Sequence, residues 1–325
     1  MTQSRRPIPL WQKVLPWVIT AACMAFLYTR LQGAAQAQGS SLAPYLAGVF
    51  ARVSWTRWLG LMIPYCLFFF LVDTAILWRV VNWFNTTITY KDLIPVRASS
   101  YILSIINEQV SKGAIALYLH RRAGVPGWEV GSSRLFIMFC ELYYLMIWAT
   151  IGVWREWDRL PAVFHVIPWV ASGAGVFFVI FFLFFTGRIL PSGTLRDKPV
   201  FHAFRRAKFS YYVLFFLVRS PMMIGAIIVY TLALRLFGIP ATFSEILGYL
   251  PVILFGATTP GPMRSVAIVL WVVLFPDTPA EITAFGFVQH NFFILFNAAI
   301  GLVFLRKAQK DLYGAPGGAP TPAGT

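Results

Sequence analysis

Charge is scarce in this chain of 325 residues, of which only 12% are Asp, Glu, Lys or Arg. A soluble domain carries roughly twice that share, so an ordinary water-facing surface is excluded. Acids are scarcer still, 12 against 27 bases, giving a net charge of +15. There are three cysteines, Cys23, Cys66 and Cys140, each inside an apolar run. They read as small core hydrophobes, not as a disulfide framework or metal site. The four histidines, His120, His165, His202 and His290, show no zinc spacing. No Asp-x-Asp and no His-x4-Asp is present, which removes the usual donors for metal-assisted or acid–base transfer at a membrane surface. The expectation is a chain without catalytic residues, metal or cofactor.

Apolar residues are abundant instead: 58% of the chain, with mean hydropathy +0.69. Runs long enough to span a bilayer lie at 14–30, 59–81, 135–153, 166–185, 211–234 and 283–305. The basic residues fall between these runs and on no soluble face, so they read as loop anchors at an anionic lipid surface, not as a nucleic-acid footprint. Arg5-Arg6, the first run and Ala35-Gln36-Ala37 imitate a cleavable signal. Pro16 and Trp17 sit early in that run and Arg30 separates it from the small residues, so an uncleaved first span is expected.

Two apolar regions are interrupted. In 246–275 a polar break, Gly256-Ala-Thr-Thr-Pro-Gly-Pro-Met-Arg264, divides two short arms; in 95–119 the break is Asn107-Glu108-Gln109-Val-Ser111-Lys112. Broken backbone at membrane depth is tolerated where protein or a wet cavity covers it, so both are expected to be re-entrant hairpins. With a cytosolic amino terminus and both hairpins turning back, 18 of the 27 Lys and Arg fall in cytosolic segments, Arg97 among them. Six lie outside, and Lys112, Arg219 and Arg264 lie within membrane elements. The second half then repeats the first turned over, and Ala149-Thr-Ile-Gly-Val reads like Ala298-Ala-Ile-Gly-Leu. The expected fold is an all-α polytopic membrane protein: about six full transmembrane helices plus two re-entrant helical hairpins in an inverted-topology repeat. The first repeat is residues 1–158, its hairpin entering from the cytosol. The second is 159–310, its hairpin entering from outside. Residues 311–325 form a disordered tail. Two surface segments are expected, the basic-aromatic 201–210 and, on the other side, 42–58.

Three stretches carry a resemblance. Ile76-Leu-Trp-Arg79-Val-Val, Tyr118-Leu-His-Arg121-Arg122-Ala-Gly124-Val-Pro126, and Leu250-Pro251 through Pro260-Gly261-Pro262-Met-Arg264 resemble the lysylphosphatidylglycerol-synthase transmembrane region, the flippase-like membrane domain. The likeness covers about residues 55–307. The family usually has Pro-Gly-Arg-x-Gly-Glu in the first hairpin, where this chain has Asn107 to Lys112; Ser265 follows Arg264 where the family has an acid. The resemblance implies a stand-alone lipid-handling membrane protein, and it does not extend to aminoacyl transfer.

The candidate substrate-binding set is Asn107, Glu108, Gln109, Ser111 and Lys112 from the first hairpin, with Thr258, Thr259, Gly261 and Arg264 from the second. Glu108 and Lys112 share a helical face and form either an ion pair or a head-group contact. Arg264 follows a Pro-Gly-Pro turn at the start of a half-helix, where free N–H groups also favour an anion. Asp73, Glu141, Arg219 and His290 lie inside spans and are candidates for ion coupling or internal pairing. Lys112 and Arg219 are the candidate partners of Asp73, and Arg134 and Arg219 those of Glu141; a lone His290 is more often a packing residue than a ligand.

The function expected is a flippase-type lipid transporter of the inner (cytoplasmic) membrane with both termini cytosolic. It would move a polar or anionic lipid (phospholipid, glycolipid, hopanoid or polyprenyl-linked) at a site between the hairpins. The alternative is a non-catalytic subunit presenting lipid to envelope-lipid biosynthesis enzymes; a membrane glycosyl or acyl transferase ranks below it.

Overall fold

The computed structural model describes residues 10–37, 39–106, 108–189, 196–256 and 265–313. Among the described residues every regular element is helical. Five helices are long and apolar enough to cross a membrane: α3 (Trp55–Phe84), α6 (Gly127–Arg155), α7 (Val166–Phe185), α9 (Phe209–Leu236) and α12 (Pro279–Tyr313). This is a membrane protein in composition and in element length. Helix α1 (Leu10–Ala37) is 28 residues long and covers the first expected span.

The interrupted regions are pairs of short helices. The first is α4 (Tyr90–Ile106) and α5 (Glu108–Ala123); the second is α10 (Phe243–Gly256) and α11 (Ser265–Leu274). The first pair is longer than its apolar residues indicate, because polar Tyr90-Lys-Asp and His120-Arg-Arg extend the arms as helix. Helix α5 stops at Gly124, whose φ of +65° is unfavourable for other residues. The Val125 N–H then bonds to the Leu119 carbonyl at 3.4 Å and the Gly124 N–H to that of His120 at 2.9 Å, closing the helix end. Helix α10 starts with a capping box: the Thr242 N–H donates to Glu245 Oε2 at 2.8 Å while the Glu245 N–H donates to Thr242 Oγ1 at 3.2 Å.

The surface segments differ from expectation in extent. Helix α2 (Leu42–Arg52) ends before Trp55 opens α3, and a 3-10 turn over Pro199–Phe201 leads into α8 (His202–Arg206). Helix α12 runs to Tyr313, so 311–313, expected in the disordered tail, continue a helix that the preceding apolar run starts. The rest of that tail lies outside the described residues.

The chain divides into two compact units, and neither coincides with residues 1–158 or 159–310. One unit comprises Met1–Met62, Leu145–Ala171 and Gly225–Phe292; the other comprises Ile63–Tyr144, Ser172–Ile224 and Phe293–Thr325. The first unit holds α1, α2, α10 and α11 and is packed around aromatic rings: Trp271 meets Phe285 at 5.4 Å and Phe285 meets Phe237 at 5.5 Å. Here Gly152 of α6 lies against α10, where an added Cβ would sit 2.7 Å from the Leu247 carbonyl oxygen and 2.8 Å from that of Gly248.

The second unit holds α4, α5 and α8. Its core joins Val80, Phe84, Leu93, Tyr118, Leu119, Phe136 and Phe204, all buried. Trp83 stacks on Tyr211 with ring centres 4.3 Å apart and planes 2° from parallel. Asn82 clamps the turn between α3 and α4 by exchanging hydrogen bonds with the Ile88 backbone, 3.1 and 3.2 Å. Gly301 of α12 lies against α4, where an added Cβ would be 2.5 Å from the Ala98 carbonyl oxygen.

Candidate functional site

Four ionisable side chains from four helices meet in the second unit. Asp73 comes from α3 and Arg97 from α4, with Tyr101 one turn beyond on the same face. Glu141 and Tyr144 come from α6, and Arg219 from α9. Such groups inside spans face protein or water because lipid cannot solvate them.

Asp73 is saturated. Its Oδ2 accepts from Arg97 Nε at 2.7 Å, Arg97 Nη2 at 2.6 Å and the Tyr101 hydroxyl at 2.7 Å. Both charged side chains are only 12% exposed. The Arg97 guanidinium also covers the Tyr101 ring at 4.6 Å. Among the described residues the ion pair of Asp73 is thus with Arg97 and not with Arg219; the Lys112 side chain is not described. Arg97 was expected in a cytosolic segment, because an arginine two residues after Pro95 in a polar-looking stretch reads as a loop anchor. Helix α4 begins at Tyr90, upstream of that proline, and this carries Arg97 into the helix opposite Asp73.

Glu141 pairs with Arg219, not Arg134, through Nη2 and Oε1 at 2.5 Å, and this pair is built differently. The guanidinium is 13% exposed and the carboxylate 31%. Arg219 Nη1 is buried and donates to nothing among the described residues. The guanidinium lies between the Tyr144 ring at 5.5 Å and the Phe215 ring at 5.8 Å. The Tyr144 hydroxyl donates to the Arg219 carbonyl at 3.1 Å and receives the Met223 N–H, entering the α9 ladder beside Pro221. The two pairs also feel each other: Asp73 interacts electrostatically with Arg219, and Arg97 with Glu141. Two positive and two negative charges thus form one neutral group, with spare donor capacity on Arg219.

Of the residues expected at a site, Asp73, Glu141 and Arg219 come together. His290 is buried on α12 but belongs to the other unit. Close to it in sequence, Gln289 Nε2 donates to the Tyr230 hydroxyl at 2.6 Å. Asn107, Thr258, Thr259, Gly261 and Arg264 lie outside the described residues. Glu108, Gln109, Ser111 and Lys112 are helical in α5, but nothing is described of their side chains.

Sequence reading missed Arg97 and Tyr101. Their signal is the four-residue spacing, which puts a cation and a hydroxyl on one helix face. It also missed Glu156, 5% exposed in the first unit, which accepts from the Ser244 hydroxyl at 2.5 Å and pairs with Arg159 at 3.2 Å. That cluster ties the end of α6 to the start of α10. Among the described residues no three His, Cys, Asp or Glu side chains are grouped to hold a metal. Compared with known proteins, the chain matches no protein-family model, no curated protein and no solved structure.

Proposed function

We propose that this protein is a flippase-type lipid transporter of the cytoplasmic membrane, with Arg219 as an intramembrane contact for an anionic head group. The observation that carries the reading is the buried Arg219 Nη1, which has no acceptor among the described residues inside an apolar span. An unsatisfied cationic donor at that depth is costly unless an anion visits it. A guanidinium whose Nη2 already serves Glu141 retains donors shaped for phosphate oxygens.

Support for an inverted repeat comes from the order of elements. Helices α3, α4, α5 and α6 start at 55, 90, 108 and 127; α9, α10, α11 and α12 start at 209, 243, 265 and 279. The offsets are 154, 153, 157 and 152, and each series runs long, short, short, long. The glycine contacts follow the same offset. Gly301 is 149 residues after Gly152, and Leu247, which Gly152 approaches, is 149 after Ala98, which Gly301 approaches. The last helix of each repeat is thus seated on the hairpin of the other, and α1 supplies the sixth span. Repeats with broken helices in matching positions are the architecture of secondary transporters, and the resemblance of residues 55–307 points the same way. Lys112 of α5 and Arg264, which lies outside the described residues, are further proposed head-group contacts.

The test is leaflet exchange in liposomes carrying tail-labelled phosphatidylglycerol and a tail-labelled neutral glycolipid. Wild type is expected to accelerate exchange of the phosphate lipid, and Arg219→Gln to slow it about tenfold or more. If neither protein alters exchange of any lipid, transport is wrong. A stoichiometric enzyme co-purifying with an exchange-inactive protein would instead favour the lipid-presenting role.

A further inference from the structure

The first unit contains a groove of about 450 Å³ where α1 passes α11, within the range that holds small molecules. Phe26, Thr29, Arg30 and Gly33 of α1 form one wall at helical spacing; Val273 and Pro276 contribute to the other. One charge lines it. The Arg30 guanidinium lies over the Phe26 ring at 5.4 Å, is exposed, and has no carboxylate within ion-pair distance among the described residues. The Thr29 hydroxyl donates to the Phe26 carbonyl at 2.8 Å, so its proton is already committed. Asp277, exposed in the loop after Pro276, makes no ion pair with Arg30. Gly33 faces open space, with nothing within 4 Å of where a Cβ would stand.

From this arrangement we infer a phospholipid-binding site, distinct from the charge group of the second unit: the phosphate pairs with Arg30, and an acyl chain lies along Phe26 and Val273. Depth supports a lipid over a soluble anion. Arg30 lies seven residues before Ala37, the end of α1, about 10 Å along the axis, the level at which arginine meets phosphates above an apolar interior. A chain held there fills the gap between α1 and the second arm of a hairpin, so it acts as a wedge seating α11. The inference does not depend on transport.

The test is native mass spectrometry of the full chain in mild detergent, titrated with palmitoyl-oleoyl phosphatidylglycerol. Wild type and Arg30→Lys are expected to retain one lipid more than Arg30→Gln and Gly33→Phe. Occupancy of that lipid should fall at least tenfold in the last two, with lipid-free melting unchanged. A site at Arg219 would be occupied equally in all four, so its loss or presence does not affect the comparison. The diacylglycerol with the same chains should not be retained, and inorganic phosphate should not displace the lipid. Equal retention by Arg30→Gln overturns the site, as does equal retention of diacylglycerol. Displacement by inorganic phosphate would show an ion site, not a lipid site. If Gly33→Phe fails to fold, the substitution at exposed Arg30 decides alone.

Discussion

Removing one member of the Asp73–Arg97 pair should cost far more than removing both. In Asp73→Asn the Arg97 guanidinium loses the carboxylate it is paired with, the Oδ2 oxygen 2.6 and 2.7 Å away, while remaining only 12% exposed. An uncompensated buried charge of this kind costs about 3–5 kcal/mol. The double replacement Asp73→Leu with Arg97→Met removes both charges and leaves an apolar pair of similar bulk, expected within about 1–2 kcal/mol of wild type. The coupling between the positions is then about 3 kcal/mol or more. Glu141→Gln is the internal comparison: its carboxylate is 31% exposed and makes one ion pair, so its loss should cost about 1–2 kcal/mol, between exposed and buried cases. Reversible unfolding in mixed micelles of rising denaturing-detergent fraction, followed by far-UV dichroism, reads these variants together with the single replacements Asp73→Leu and Arg97→Met. If Asp73→Asn costs under about 1 kcal/mol, or the double replacement costs the sum of the singles, the pair is not the buried, mutually neutralising unit described here.

The two glycine contacts predict matched penalties. Gly152→Ala and Gly301→Ala each place a Cβ at 2.7 Å or less from a carbonyl oxygen of a hairpin helix, and each should cost about 1–3 kcal/mol by overpacking. Gly173→Ala on α7 meets nothing within 4 Å and should be neutral or mildly stabilising; equal effects at all three positions in the same unfolding assay would remove the close approaches as the cause. His202, outside the spans on α8, has its pKa held below the ordinary 6.5 by burial, with Arg206 and Arg205 adding to the effect and Glu129 opposing it. Because the folded state resists protonation, this residue's contribution to stability is present above 6.5 and declines as pH falls below it. Its ring meets Trp128 edge-on at 5.5 Å, so the difference in tryptophan emission between wild type and His202→Gln should titrate with a midpoint below 6.5; a midpoint at or above 6.5 contradicts the burial.

Much of the helical layout was legible because each span writes itself as an apolar run bounded by charge or proline. The expected run 166–185 is α7 to the residue, and the expected 211–234 lies within α9, which extends it by two residues at each end. The helix ends were less legible. Tyr90-Lys-Asp and His120-Arg-Arg are polar yet helical, because an α-helix at a membrane surface satisfies its own backbone and leaves polar side chains to water. The charge group was half legible. Asp73, Glu141 and Arg219 stand out as ions inside apolar runs, but pairing depends on which helices are neighbours, and periodicity is silent on that. Arg97 was misplaced for the same reason: Pro95 two residues earlier suggests a loop, yet as the sixth residue of α4 it removes one intrahelical hydrogen bond without ending the helix.

The contrast between the two ion pairs bears on mechanism more than their mere presence does. A charge that must stay put needs several donors fixed on it, and Asp73 Oδ2 has three. A charge that must exchange partners needs the reverse: one contact, a partly accessible carboxylate, which is Glu141, and an idle donor, which is the buried Nη1 of Arg219. The first pair can fix α4, the first arm of a hairpin, to α3 while the second responds to a ligand. The two pairs also act on each other electrostatically; in the proposed transporter, Arg97 already compensates Asp73, which would leave Arg219 as the positive site for an anion. A transporter built on this group would lose head-group selectivity with Arg219→Gln while keeping its fold, and lose its fold with Asp73→Asn. The two pairs are therefore separable by experiment, stability reporting one and exchange the other.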